Sequence, residues 1–226
     1  MRVKAIRNIS VFAVSAMALF AAACGDSSEK KVPVAPADQG PKKPAMVFLG
    51  DSLTAGRGVR RSQAVPALIQ AKVDKAGLEY RVVNAGRSGD TTRGGLSRLP
   101  WYLRDSMNMQ ILVIGLGSND AMRGQDLKSI ETNLRSIIRK TRAAKPKVKI
   151  FLWQMHTFTS MGAKYAGSYS KVFPRVARSE KIVLLPFPLR GVGGVAKLNQ
   201  SDGIHPNVEG TRIVADNLWR DLRKHL

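Results

Sequence analysis

The sequence predicts a three-layer α/β/α domain built on a mainly parallel sheet. Short apolar runs alternate with longer stretches of helical spacing, and the apolar runs end in motifs rich in glycine and polar residues. Length agrees: 226 residues, 44% of them hydrophobic, suit one such domain plus an N-terminal extension.

Ala45–Leu49 is a short apolar run stopped by Gly50, as a buried strand requires. Gln63–Ala76 has helical spacing through Val65, Leu68, Ile69 and Val73, with Gly77 as its stop. Tyr80–Val83 is the second strand. Ile111–Leu116 is the third, a continuous apolar run of the kind that parallel sheets bury on both faces. Leu127, Ile130, Leu134, Ile137 and Ile138 then share one helix face, and Pro146 follows that helix. Ile150–Trp153 and Ile182–Leu185 are further strands, separated by a helix around Tyr169–Ala177. Val208–Leu222 closes the chain as a helix with Val214, Leu218 and Leu222 inward. Such alternation implies right-handed crossovers. In open sheets of this class ligands bind beyond the carboxyl ends of the strands, which is where the polar motifs fall.

The first forty-four residues read as an address and a tether. Arg2, Lys4 and Arg7 precede an apolar run from Ile9 to Ala23 that is too short for an ordinary membrane span and has the layout of a secretory signal. Ala21-Ala22-Ala23-Cys24 fits cleavage after small residues. It also resembles a bacterial lipobox whose cysteine is lipidated, and the position of the single cysteine favours that reading, although Ala21 stands where leucine is usual. Residues 1–23 are thus expected to be a lipoprotein-type signal peptide, and 24–44 a lipidated Cys24 with a Ser-, Lys- and Pro-rich tether. Residues 45–226 form the domain. Largely extended, the tether would reach about 60 Å. The expected location is the cell envelope, with the membrane a partner through Cys24.

Net charge is +21, from 37 Lys and Arg against 16 Asp and Glu. The basic residues are dispersed, without an arginine-rich arm or zinc-finger spacing, so the expectation is a solvated basic surface and no nucleic-acid partner. One cysteine excludes an intramolecular disulfide and a cysteine metal cluster, and three scattered histidines leave no metal site to expect.

Four motifs carry chemistry. Gly50-Asp51-Ser52-Leu53-Thr54 follows the first strand and offers a serine hydroxyl, though a serine there also suits a helix cap. Asn84-Ala85-Gly86-Arg87-Ser88-Gly89-Asp90-Thr91-Thr92 follows the second; its glycines suit turns, and Gly86 can present its backbone N–H to an oxygen. Gly117-Ser118-Asn119-Asp120 follows the third and offers a neutral amide donor, Asn119. Asp202-Gly203-Ile204-His205-Pro206 precedes the last helix, where the carboxylate can fold back onto one ring nitrogen and leave the other free to take a proton. Alone, each has an ordinary structural explanation. Together they supply a nucleophile (Ser52), its base (His205), the residue orienting that base (Asp202) and three oxyanion donors (the Ser52 and Gly86 N–H groups and Asn119).

The GDSLT, NAGRSGDTT, GSND and DGIHP segments resemble, in order, blocks I, II, III and V of the SGNH hydrolases, also called the GDSL family. Gly94–Pro100 and Leu184–Phe187 are similar to its bacterial arylesterase and thioesterase/lysophospholipase branch, and the likeness covers about residues 45–226. The resemblance implies a flavodoxin-like sheet of five parallel strands, no cofactor, and the same roles for Ser52, Gly86, Asn119, Asp202 and His205. Ser118 departs from the glycine common among close relatives, and the Trp153–Gly162 loop differs most, so specificity carries over least.

The expected reaction is hydrolysis of short-to-medium acyl esters or thioesters, lysophospholipids included, with Leu53, Leu99, Trp101, Met155 and Phe158 lining an acyl groove, joined by Leu96 and Met161. Ordinary core packing is the alternative for that set. The competing functions are a carbohydrate or peptidoglycan O-acetylesterase and a catalytically silent binding module.

Overall fold

Why the motifs converge follows from strand order. The computed structural model describes residues 43–157 and 159–226; the expectations for the leader, Cys24, most of the tether and Phe158 lie outside them. Five strands, β1 (Ala45–Gly50), β2 (Arg81–Gly86), β3 (Met109–Gly115), β4 (Lys149–Trp153) and β5 (Val183–Leu185), form one sheet in the order β2-β1-β3-β4-β5. Every neighbouring pair is parallel. This is the flavodoxin-like order, whose topological switch point lies between β1 and β3. The loops after those two strands are the ones that carry Ser52 and Asn119.

The central strands are apolar because both faces are covered: Met46 to Leu49 and Leu112 to Ile114 are essentially inaccessible. Helices α2 (Val65–Lys75) and α8 (Val208–Leu222) pack together on one side. On the other, α5 (Leu127–Ala144) packs against α3 (Thr92–Tyr102) and α7 (Val172–Ser179). Short α1 (Ser52–Ala55) and α4 (Ser118–Met122) continue β1 and β3, and α6 (Ala163–Ser170) precedes α7. Among the described residues no helix is long and apolar enough to cross a membrane.

Four elements depart from expectation. Strand β2 does not end at Val83 but runs on through Gly86, whose segment pairs in register with the end of β1. Helix α3 has no counterpart in the sequence reading, since Gly94, Gly95 and Pro100 are poor helix formers; it forms because Thr91 caps it, accepting the Gly94 N–H, and because it buries Leu99. The helix expected around Tyr169–Ala177 is two helices. Pro174 has no N–H to give the Ser170 carbonyl, and the Gln154 side chain occupies that carbonyl instead at 3.0 Å. Gln63 belongs to a 3₁₀ turn, and α2 starts two residues later with Pro66 in its first turn.

Candidate active site

Asp51 caps α1 through Oδ1, which accepts the Leu53 N–H at 3.0 Å, and the cap fixes Ser52 as the first helical residue. Ser52 is 9% exposed, and among the described residues its N–H meets no acceptor. His205 reaches it from the opposite end of the chain. Residues 199–206 form a closed loop: Asn199 bridges Pro206, the Gln200 N–H donates to the His205 carbonyl at 2.8 Å, and Gly203 turns the chain at φ +67°. The Gln200 amide fastens this loop to the one after α1, donating to the Arg57 carbonyl at 2.8 Å.

His205 Nε2 thereby lies 2.8 Å from Ser52 Oγ, and Nδ1 lies 2.6 Å from Asp202 Oδ2. Asp202 Oδ1 accepts the backbone N–H groups of Ile204 and His205, both at 3.0 Å. Those amides, the His205 one foremost, together with the imidazole hold the Asp202 carboxyl well below the usual carboxylate range. It stays ionised and holds the ring with Nε2 toward the serine.

Asn119 is buried on α4, and its amide donates to the Asp90 carbonyl at 2.9 Å, leaving one N–H of the same NH₂ group. The next residue anchors the loop: Asp120 accepts the Thr92 N–H at 2.8 Å and the Thr92 hydroxyl at 2.6 Å. Arg98 ties the second motif to the first, bonding Asp90 at 2.6 Å and the Gly50 carbonyl at 2.9 Å.

Gly86 does not offer the donor expected of it. Its N–H is held by Asn84 Oδ1 at 2.9 Å, and a Cβ there would stand 2.2 Å from the Ala55 backbone nitrogen, so this glycine is the close-packing point between β2 and α1. The exposed glycine of the same motif, Gly89, has an N–H with no acceptor among the described residues, and the Asp90 carbonyl that binds Asn119 is on the adjacent residue. The sequence shows both glycines; which N–H the Asn84 side chain takes is a matter of backbone geometry.

A cavity of about 300 Å³ opens beside Ser52. Leu53 lines it as expected; His156 lines it too, and its ring meets Phe187 edge-on at 4.8 Å. The other apolar walls are Met122, Phe187, Leu189 and Ile204. Leu99 and Met155 are not groove residues: both are packed in the core, at 0% and 1% exposure. Trp101 is 60% exposed on the outside of α3, with the Arg104 guanidinium 3.8 Å above its ring. Leu96 packs against the core, and neither it nor Met161 borders the cavity. The residues that do border it lie in the segments that follow β1, β3, β4 and β5, the DGIHP segment among them. Position in those loops was the signal that apolar character alone obscured.

Asp51 is fully buried on the cavity wall, and its Oδ2 has no hydrogen-bond partner. Burial pushes its pKa up to about 6, against the Leu53 N–H, the Ser118 hydroxyl and His205. Unfolded, the group titrates near 3.8, so between that value and about 6 the folded protein holds the extra proton. Stability therefore falls as pH rises through that window. Asp51→Asn is expected to flatten the fall, so that the variant gains on the parent between about pH 4 and about pH 7 in denaturant titrations. Parallel profiles would contradict the assignment.

A doubly wound sheet whose carboxyl edge carries a linked serine, histidine and carboxylate beside an apolar cavity has the build of a serine hydrolase. Residues 48–213, well over half of the chain, match the GDSL-like lipase/acylhydrolase family. The chain is 40% identical over 178 residues to the esterase TesA of Pseudomonas aeruginosa, covering 79% of this chain and 87% of that one. It is 36% identical over 178 residues to thioesterase 1/protease 1/lysophospholipase L1 of Escherichia coli, covering 79% and 83%. A crystal structure of TesA superposes with a TM-score of 0.76 at 39% identity, over 80% of this chain and 99% of the other. The chain belongs to the GDSL-like lipase/acylhydrolase family and is a carboxylic ester hydrolase.

Proposed function

We propose that the protein hydrolyses short-to-medium acyl esters and thioesters through an acyl-enzyme on Ser52. The observation that carries this is the linked chain of 2.8 Å from Ser52 Oγ to His205 Nε2 and 2.6 Å from Nδ1 to Asp202. Oγ attacks the substrate carbonyl carbon while its proton passes to Nε2. Asp202, ionised throughout, stabilises the imidazolium. The negative oxygen is assigned to the Ser52 N–H, the free N–H of the Asn119 amide and, in place of Gly86, the Gly89 N–H. Collapse expels the alcohol or thiol with the proton from His205. Water, activated by the same nitrogen, then releases the acid and restores Ser52. A pure binding module would have no use for this linkage.

The acyl chain is assigned to the cavity walled by Leu53, Met122, Phe187, Leu189 and Ile204. Each buried methylene adds about 0.8 kcal/mol, so efficiency rises with chain length until the cavity fills. Its volume is at the small end for ligand sites, so the rise ends early. The thioesterase and lysophospholipase parts of the Escherichia coli relative's name, thioesterase 1/protease 1/lysophospholipase L1, support an acyl substrate. The test is kcat/KM against acyl length at a fixed nitrophenol leaving group. An optimum between butyryl and octanoyl is expected; an optimum at acetyl with a steady fall would favour a carbohydrate O-acetylesterase.

For the N-terminal region the proposal is a signal peptide over 1–23, a lipid on Cys24, a tether to residue 44 and the hydrolase domain from 45. Cys24→Ser should move the protein from the membrane fraction to the soluble one with unchanged specific activity. Retention in the membrane would contradict the anchor.

A further inference from the structure

The loops around the cleft mouth have a lopsided surface. Arg57, Arg60 and Arg61 follow α1, Arg87 follows β2, Arg93 lies in the first turn of α3 and Arg123 follows α4. All six are exposed, and none forms a salt bridge among the described residues. The carboxylates at the same edge offset them only in part: Asp51, Asp90 and Asp120 are buried, Asp202 is bound to His205, Asp126 caps α5, and Glu209 in the first turn of α8 is a single exposed carboxylate against the six arginines. On the α5–α7 flank, by contrast, Glu131 and Glu180 gather Arg135, Arg139 and Arg175.

Basic side chains are exposed on other faces too; what distinguishes this one is that apolar groups stand among them. Three large hydrophobic residues are exposed among the described residues, and two of them, Met122 (38%) and Ile204 (37%), border the cavity. Guanidinium groups without a carboxylate partner around apolar tips (Arg123 donates only to the Gly89 carbonyl, at 3.0 Å) are the surface of a protein that sits on an anionic bilayer, where headgroups take the charges and the tips meet the acyl region. We infer that this face docks on an anionic membrane surface with the cleft opening toward the lipid. The contact is separate from any lipid on Cys24 and from the acyl preference proposed above, and soluble-ester turnover keeps the two readings distinguishable.

The probe is sedimentation with vesicles of phosphatidylglycerol or of phosphatidylcholine. It uses a chain starting at Gly25, which retains the whole domain; TesA, matched over 99% of its length by this domain, shows that such a unit folds alone. The parent is compared with a variant carrying Arg60→Gln, Arg61→Gln, Arg87→Gln and Arg93→Gln, whose unchanged turnover of a soluble nitrophenyl ester reports an intact domain. Each arginine near an anionic surface contributes roughly fivefold to partitioning, so the variant should lose several hundredfold on phosphatidylglycerol. Added salt should weaken the parent in the same direction. Equal binding to both vesicle types, retention by the variant, or displacement of the parent by soluble glycerol phosphate would overturn the docking surface.

Discussion

Ser52→Ala is expected to reduce ester turnover by about 10⁶-fold while leaving the domain folded. The hydroxyl has a single hydrogen-bond partner among the described residues, His205 Nε2, and the alanine methyl fits the same space. No cap is lost, because the cap of α1 comes from Asp51. What disappears is the nucleophile, and the remaining groups can only promote attack by water on a carbonyl held in the cleft. The measurement is turnover of a soluble nitrophenyl ester beside the thermal midpoint of the same preparation. A folded variant with substantial activity would falsify the assignment.

Asn119→Ala is expected to lower kcat by about 10²–10³-fold with KM nearly unchanged. The loss falls on kcat because the amide meets its full partner only when the carbonyl oxygen becomes negative. The Asp90 carbonyl fixes the amide beforehand, and Asp120 and Thr92 fix the loop, so no reorganisation is needed at the moment of reaction. Removing the side chain also frees the Asp90 carbonyl, so the thermal midpoint is read alongside. A change confined to KM would make Asn119 a substrate-positioning group instead.

Much of this was legible in the sequence, for physical reasons. Strand β3 is a continuous apolar run, and a buried parallel strand can hardly look otherwise. Helix α8 begins and ends at the residues its periodicity indicates, with Asn207 as its cap. Helix α3 was illegible because tertiary packing overrides poor propensity: Gly95 leaves room for the Leu116 side chain, which a Cβ would meet at 2.2 Å. The break between α6 and α7 is written in Pro174, yet it reads as a break only once Gln154 is seen to cover the orphan carbonyl. At the site, the order of the motifs pointed to Ser52, Asn119, Asp202 and His205, because the chemistry limits which residue types can serve, and the structure joins Ser52, His205 and Asp202 in one hydrogen-bonded chain. Gly86 and Gly89 differ in what their N–H groups meet, which depends on three-dimensional geometry. The cavity walls were the least legible part. Apolar character does not tell a core leucine such as Leu99 from a cleft leucine such as Leu189, whereas the helix face and the loop do.

The acyl-enzyme itself is the most direct test. A nitrophenyl alkylphosphonate mimics the tetrahedral state and stops at the covalent stage, so peptide mass mapping locates the attacking atom. The account predicts one adduct per chain, on Ser52, forming with loss of activity and formed far more slowly in His205→Ala. An adduct on another residue, or labelling of Ser52 at an undiminished rate without His205, would contradict it.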